Sequence, residues 1–216
     1  MGLLERLKTL FGQRPPVADT RALADFIDGH AAFIVQKGIY EYSRARAGHY
    51  AKVLFKEEAF AEAIERARWS AYPLGLAMVG EMVEGVLRPI AGDRRRQALD
   101  QLTKLVLSVF DRYPVPPSIG SGPWRGMRED LERHLDHVGG HAPKRVIDIP
   151  QAVAEQYFAL MPIHEKLRGR DFQTTANYLR VNLCHMHEEL EGRIDATAVM
   201  AELLGRPEET VRPGPV

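Results

Sequence analysis

The sequence has little of what a secreted protein normally carries. It contains one cysteine, Cys184, among 216 residues, so no disulfide can form within the chain. Its N-terminus shows no continuous apolar core followed by a cleavage site, as a signal peptide would. We therefore expect a cytoplasmic protein in a reducing compartment.

An excess of either charge is also missing, since 29 basic and 29 acidic side chains give a formal net charge of zero. Proteins that bind nucleic acid draw most of their affinity from a surplus of Lys and Arg facing the phosphates. We therefore expect no nucleic-acid partner. The content of 45% hydrophobic and 27% charged residues is that of an ordinary globular protein.

No apolar run is long enough to cross a bilayer. The longest stretch with almost no charge covers residues 69–87, and it contains two acids, Glu81 and Glu84. Each acid would cost about 2.5–3.5 kcal/mol at the centre of a span. The stretch therefore predicts a central helix that is buried on nearly all sides, with Pro73 breaking or kinking the chain before it.

Strand-like alternation is absent as well, whereas helical spacing recurs along the chain between proline and glycine breakers. We predict an all-α fold, a single-domain irregular helical bundle of about seven to nine helices. Uneven helices and long proline-rich loops favour an irregular bundle over an up-and-down one. The predicted divisions are a detached helix and spacer (1–16), the helical domain (17–205) and a disordered tail (206–216).

The first residues predict a short amphipathic helix. One stripe at helical spacing carries its apolar side chains, which are Leu3, Leu4, Leu7, Leu10 and Phe11. Arg14-Pro15-Pro16 then forms a stiff spacer before the body. A helix this short is marginal in water and needs an apolar surface. A membrane, the groove of a partner protein or the protein's own core would each provide one.

The segment 40–50 is dense in tyrosines and cations. Tyr42, Arg46, His49 and Val53 share one helical face, at spacings i, i+4, i+7 and i+11. Such a face can bind an anionic ligand. The guanidinium of Arg46 would donate two parallel hydrogen bonds to it, and Tyr42 and His49 would form directional hydrogen bonds. The alternative is that this face lies at the edge of a helix–helix interface, where the tyrosines are half-buried and the arginine side chains extend so that their charged ends stay in water.

A long helix predicted over residues 172–191 adds further candidates. Cys184 shares a face with His187 and Glu188, which is the arrangement of a thiolate nucleophile and its base, although a lone cysteine beside an apolar seam is commonly inert. The neighbouring stripe either lines a polar pocket or faces water, and it consists of Tyr178, Asn182, His185 and Glu189. The ligand-binding candidates of this helix are Cys184, His185 and Glu188.

Glu81 and Glu84 are one helical turn apart, and a buried carboxylate requires a partner. A helical-bundle metal site is one interpretation, and salt bridges are the other. The Glu-x-x-His pairs typical of such metal sites are missing. His134 and His137 have a spacing that zinc accepts, but no acidic or cysteine partner accompanies them. No cofactor is predicted.

Residues 38–49 (GIYEYSRARAGH) and 159–166 (ALMPIHEK) resemble an uncharacterised bacterial all-helical family, some members of which are labelled esterase. The resemblance covers most of the chain and implies a helical fold and, through that label, ester hydrolysis. The chain has no G-x-S-x-G elbow, because Ser121 lies in the sequence IGSG, and it lacks the alternating strands of an α/β-hydrolase. The resemblance therefore assigns no catalytic residue.

The leading expectation is a non-catalytic helical scaffold or accessory protein that attaches to a membrane surface, or to a partner protein, through the N-terminal helix. It would then be cytoplasmic and peripheral to the membrane. The alternatives are an enzyme, either a hydrolase or a helical-bundle metal site, and a bundle that binds a small ligand.

Overall fold

A computed structural model describes residues 15–205, and its backbone is helical almost throughout. In chain order the helices are α1 (Thr20–Ala47), α2 (Ala51–Leu54), α3 (Glu58–Ala91), α4 (Arg95–Phe110), α5 (Ser121–Val138), α6 (Ala154–Ala159), α7 (Glu165–Arg168), α8 (Phe172–Glu191) and α9 (Ala196–Leu203). No β-strand occurs in this part of the chain. The prediction of an all-α, single-domain bundle is confirmed.

The centre of the molecule is α3, in which residues 71–84 are all buried. This confirms the central helix predicted from the uncharged stretch, and the helix extends well beyond it in both directions. Pro73 lies inside the helix and does not break it, so the expectation of a break was wrong. A proline within a helix costs about 3 kcal/mol, and burial of α3 on all sides outweighs that cost.

The closest contact between α1 and α3 occurs at Gly75. A Cβ atom built on Gly75 would lie 2.6 Å from the carbonyl oxygen of Ala31 and 3.0 Å from a methyl carbon of Val35. Only a residue without a side chain permits this approach. The two longest helices therefore pack backbone against backbone at this point.

The first helix, α1, is unbroken through Gly29 and Gly38, although glycine disfavours the interior of a helix. Gly38 instead makes room for a neighbour, since an added Cβ atom would lie 2.3 Å from the hydroxyl oxygen of Tyr157. That hydroxyl donates a hydrogen bond to the carbonyl of Val35 at 3.0 Å. The glycine thus serves packing against the segment that contains α6.

A hydrogen-bonded cluster fixes α1 against α3 and the end of α4. The carboxylate of Asp28 accepts hydrogen bonds from the hydroxyls of Tyr72 at 2.7 Å and Tyr113 at 3.0 Å, and from Arg112 at 3.2 Å. Burial, and then the neighbouring carboxylate, raise the pKa of both tyrosines above their usual value. Both hydroxyls therefore remain donors, and the cluster holds α1 in register.

The two ends of the described chain meet. The amide of Val17 donates to the carbonyl of Arg193, and the carbonyl of Val17 accepts from the amide of Asp195, both at 2.9 Å. Thr20 donates to the carboxylate of Glu202 through its amide at 2.9 Å and its hydroxyl at 2.7 Å. The start of α1 is thereby fastened to the α8–α9 region.

Two predicted segments fall outside the described residues. They are the tail at residues 206–216 and the amphipathic helix with its stripe of Leu3, Leu4, Leu7, Leu10 and Phe11. Over residues 15–205, no helix combines the length and the apolar character that crossing a bilayer requires.

Candidate functional site: a groove between α1 and α8

A groove of about 770 Å³ lies between α1 and α8. Its two walls are formed by side chains that recur at helical spacing on the facing helices. From α1 these are Phe26, His30, Phe33 and Lys37, and from α8 they are Asn182, His185, Met186 and Glu189. Pro15, Pro16 and Val17 line it as well, so the described chain begins at the groove.

Charged and polar groups close the end of the groove near the start of the described chain. His30 stacks on Phe26 with ring centroids 3.9 Å apart, and its Nε2 lies 3.3 Å from the Glu189 carboxylate. Arg193 pairs with the same carboxylate and donates two hydrogen bonds to the carbonyl of Pro15, at 2.8 and 3.1 Å. The guanidinium thus fixes the backbone at the point where residue 15 leaves the body.

Apolar surface is open to solvent further along the groove. Phe33 is 45% exposed, although it lies on a helix whose other large apolar side chains are mostly buried. The ammonium of Lys37 lies 4.8 Å from the centre of the Phe33 ring. Met186 lines the opposite wall, although its side chain is almost fully buried. An apolar floor between polar rims suits one face of an amphipathic helix.

Tyr42 and Arg46, two predicted ligand-binding residues, meet at the segment before α8. The hydroxyl of Tyr42 donates to the carboxylate of Asp171 at 3.1 Å. Arg46 forms an ion pair with the same carboxylate and donates to the carbonyl of Arg168 at 2.9 Å. These bonds connect α1 to the start of α8, so the side chains of Tyr42 and Arg46 stabilise the packing of the two helices.

His49 does not share a face with Tyr42 and Arg46, so this part of the prediction was wrong. The spacing argument required an unbroken helix to Val53, but α1 ends at Ala47 and is followed by Gly48 at φ 53°. A residue in this left-handed conformation turns the chain out of the helical path. The ring of His49 is consequently exposed on a separate surface.

The three candidates on α8 have different surroundings. Cys184 is half-buried, His185 is exposed at the groove, and Glu188 is exposed outside it. His187, the proposed base for the cysteine, has its Nδ1 3.4 Å from the carboxylate of Glu191. Of the candidates on this helix, only His185 belongs to the groove.

Glu81 and Glu84 are both buried, at 4% and 5% exposure, and each faces its own cation. The ammonium of Lys144 lies 2.7 Å from one oxygen of Glu81, and Nε2 of His134 lies 3.3 Å from the other. Nε of Arg88 donates to Glu84 at 2.7 Å. These ion pairs account for the burial of both carboxylates, as the salt-bridge interpretation expected.

A polar cavity of about 160 Å³ lies beside these ion pairs, and Lys144, Arg88 and His187 contribute to its lining. Residues 15–205 contain no group of three or more His, Cys, Asp and Glu side chains arranged to hold a metal ion. Because Glu81 and Glu84 point to different cations, they form no shared coordination site.

We expect the contribution of Glu81 to stability to depend on pH. Burial raises the pKa of this carboxyl, but hydrogen bonds and charge from His134 and Lys144 outweigh burial and hold the pKa below the usual 4.5. Such a group stabilises the fold above its unfolded pKa, and the contribution is lost as the pH falls through the folded pKa. The difference in unfolding free energy between the protein and Glu81→Gln should therefore be larger at about pH 6 than at about pH 3.

Urea unfolding followed by circular dichroism at both pH values measures this difference. The same comparison for Glu129→Gln, a change at an exposed carboxylate of α5, serves as the control and should change little with pH. A difference for Glu81→Gln that is equal at both pH values would contradict the assignment of the ion pair.

Sequence reasoning missed most of the groove. Phe33 carried a usable signal, because it departs from the buried stripe of α1 that contains Phe26, Ile27 and Ile34. The predicted polar stripe of α8 also lines the groove in three of its four members, Asn182, His185 and Glu189. What was missing was the knowledge that these two faces oppose each other.

The segments that carry the family resemblance have structural roles in this protein. Residues 38–49 include the close approach at Gly38 and the bonds of Tyr42 and Arg46 to the loop before α8. Residues 159–166 lead from α6 into α7, and the carbonyls of Met161 and Ile163 accept hydrogen bonds from Arg168. Comparison with protein-family models, with curated proteins and with solved structures finds no match to the chain.

Proposed function

We propose that this protein is a non-catalytic accessory protein of the cytoplasm that attaches to a membrane surface through residues 3–11. The helical body would be the scaffold that this attachment holds at the membrane. The observation that supports the proposal is the fixed exit point of the chain, where Arg193 holds the carbonyl of Pro15. An amphipathic segment a few residues before a fixed point of the body has the arrangement of a tether.

The chemistry of the segment favours a lipid surface. Five apolar side chains share its stripe, and burial of each large apolar side chain is worth about 1.5–3 kcal/mol. Arg6 and Lys8 flank the stripe on its two edges and would lie near the headgroups, where cations are attracted by anionic lipid. Contact with lipid would also provide the apolar surface that a helix of this length needs in order to form.

Vesicle flotation tests the proposal with the full chain. The protein is mixed with vesicles of phosphatidylcholine, with and without phosphatidylserine, beside the variants Leu7→Glu and Thr9→Glu. Both variants add one negative charge to the segment, but only Leu7 lies on the apolar stripe. We expect the protein and Thr9→Glu to float, most strongly with phosphatidylserine, and Leu7→Glu to bind at least about tenfold more weakly.

Two results would overturn the proposal. The first is that the intact protein fails to float with either lipid composition. The second is that Thr9→Glu loses binding as strongly as Leu7→Glu, because binding would then depend on charge alone and the stripe would have no part in it.

A further inference from the structure

We infer that, when no membrane is present, residues 3–11 occupy the groove between α1 and α8 of the same chain. The inference deepens the proposed function, on which it rests for the role of the segment at lipid. It assigns the groove an occupant and makes membrane attachment a competition between two apolar surfaces. The groove would therefore regulate how readily the protein binds a membrane.

The first support is where the described chain begins. Pro15 and Pro16 line the groove itself, and Arg193 holds the carbonyl of Pro15 at its end. A segment that leaves the body inside a groove reaches its walls without a long connection, so little entropy is lost when the ends are brought together. Any separate partner would have to displace this neighbouring chain.

The second support is that the groove is longer than the segment would be as a helix. The α1 wall runs from Ala22 to Lys37, which corresponds to about 22 Å along the helix axis. Residues 3–11 as a helix would measure about 13 Å. Residues 12–14 then remain to connect this helix to Pro15, so the groove is long enough for the whole stripe. The segment would lie antiparallel to α1, because it extends from the end of the groove where α1 begins.

The third support is complementarity. The exposed apolar side chain of the groove is Phe33, and the buried side chains of Phe26 and Met186, at 5% and 4% exposure, lie beneath the groove. These side chains match the apolar character of a stripe of leucines and a phenylalanine. Exposure of 45% leaves Phe33 with apolar area that an occupant would remove from water. The α1 rim carries Asp25, whose side chain is 60% exposed and pairs with Arg112 at 2.9 Å. Since cations flank both edges of the stripe, one of them faces this rim in either orientation of the segment.

Because one stripe cannot face the groove and a bilayer at once, the two sites exclude each other. Membrane binding would empty the groove and expose its apolar floor. Damage to the groove would in turn strengthen membrane binding, since a segment without its internal site is available to lipid all the time.

Thiol alkylation in the full chain tests the inference without lipid. Cys184→Ser provides a background free of cysteine, into which Leu7→Cys or Thr9→Cys places one thiol on the stripe or opposite to it. We expect the thiol at position 7 to react about tenfold more slowly than the thiol at position 9, because tenfold protection requires an occupancy of about 90%. The thiol at position 9 would face solvent in the docked segment and would react freely.

Addition of Phe33→Glu should remove this protection by placing a charge on the groove floor. Val181→Glu is the matched control, since Val181 is 53% exposed on α8 and does not line the groove. We expect positions 7 and 9 to react at equal rates with Phe33→Glu and to keep their difference with Val181→Glu. In the flotation assay, Phe33→Glu in the otherwise unchanged chain should increase vesicle binding severalfold.

Three results would overturn the inference. Equal alkylation rates at positions 7 and 9 in the unmodified groove would show that the segment is not docked. Persistence of the difference in Phe33→Glu would place the segment elsewhere. Protection that rises with protein concentration would show that a second copy covers the stripe. These readouts need no lipid, so failure of the groove site and failure of membrane attachment are distinguishable.

Discussion

Replacement of Arg88 by methionine is expected to lower the free energy of unfolding by about 3–5 kcal/mol. The Arg88 and Glu84 side chains are 9% and 6% exposed, and Nε of Arg88 lies 2.7 and 3.0 Å from the two carboxylate oxygens. The guanidinium also donates to the carbonyls of Val138 at 3.1 Å and His141 at 2.8 Å, where α5 ends. Its removal leaves a buried carboxylate without its cation and the carbonyl of Val138 without its donor, whereas the carbonyl of His141 keeps a donor in Arg95 at 3.2 Å.

Urea unfolding at neutral pH measures the loss. Arg145→Met is the matched control, because Arg145 forms an ion pair with Asp148 while its side chain is 81% exposed. Its midpoint should stay close to that of the unmodified protein, since exposed ion pairs contribute little. The double change Glu84→Met with Arg88→Met should recover part of the loss by removing the unpaired charge. Equal midpoints for Arg88→Met and Arg145→Met would contradict a structural role for the buried pair.

Replacement of Gly75 by alanine is expected to destabilise the protein by about 1–3 kcal/mol, although alanine is the better helix former. The added Cβ atom would meet the carbonyl oxygen of Ala31 at 2.6 Å, and a backbone atom cannot turn aside as a flexible side chain can. Relief of this clash requires α1 and α3 to move apart. Such a movement would disturb the contacts that surround Gly75 along the two longest helices.

Gly85→Ala is the matched control in the same helix. A Cβ atom there would find no neighbouring atom within 4 Å, so the gain in helix propensity should stabilise the protein by about 0.5–1 kcal/mol. Thermal unfolding of both variants compares a crowded and an open glycine for one substitution. Stabilisation by Gly75→Ala would show that the helices do not approach as closely as described.

Helices could be predicted from the sequence where apolar spacing is regular. In α8 the seam from Leu179 to Leu190 marks the buried face, and the predicted limits of 172–191 match the structure, although Asp171 makes no side-chain capping hydrogen bond. The expected break at Pro73 was wrong because a rule based on local sequence does not include the packing of a helix that is enclosed by its neighbours. The prediction that Tyr42, Arg46 and His49 share a face was wrong because the helix ends before Gly48.

The candidate site depends on which helices meet, and periodicity within one helix carries no such information. The four-residue spacing of Phe33 and Lys37 defines a face of α1 but does not show that α8 stands opposite. The partner of Glu81 was equally hidden, since His134 lies 53 positions away in the chain. The carboxylates stood out because they interrupt an apolar stretch. Arg88 has the i,i+4 spacing that could identify it as the partner of Glu84, whereas no spacing connects His134 or Lys144 to Glu81.

Val17 is hydrogen-bonded to the segment after α8, and Thr20 is hydrogen-bonded to Glu202. Both ends of the described chain therefore lie on the same side of the helical body. Groups attached before residue 15 and after residue 205 would therefore be held close together. For two sites joined by so short a span, the effective concentration of one at the other is about millimolar. A partner that contacts both ends of the described chain would thus bind with an avidity that neither end provides alone.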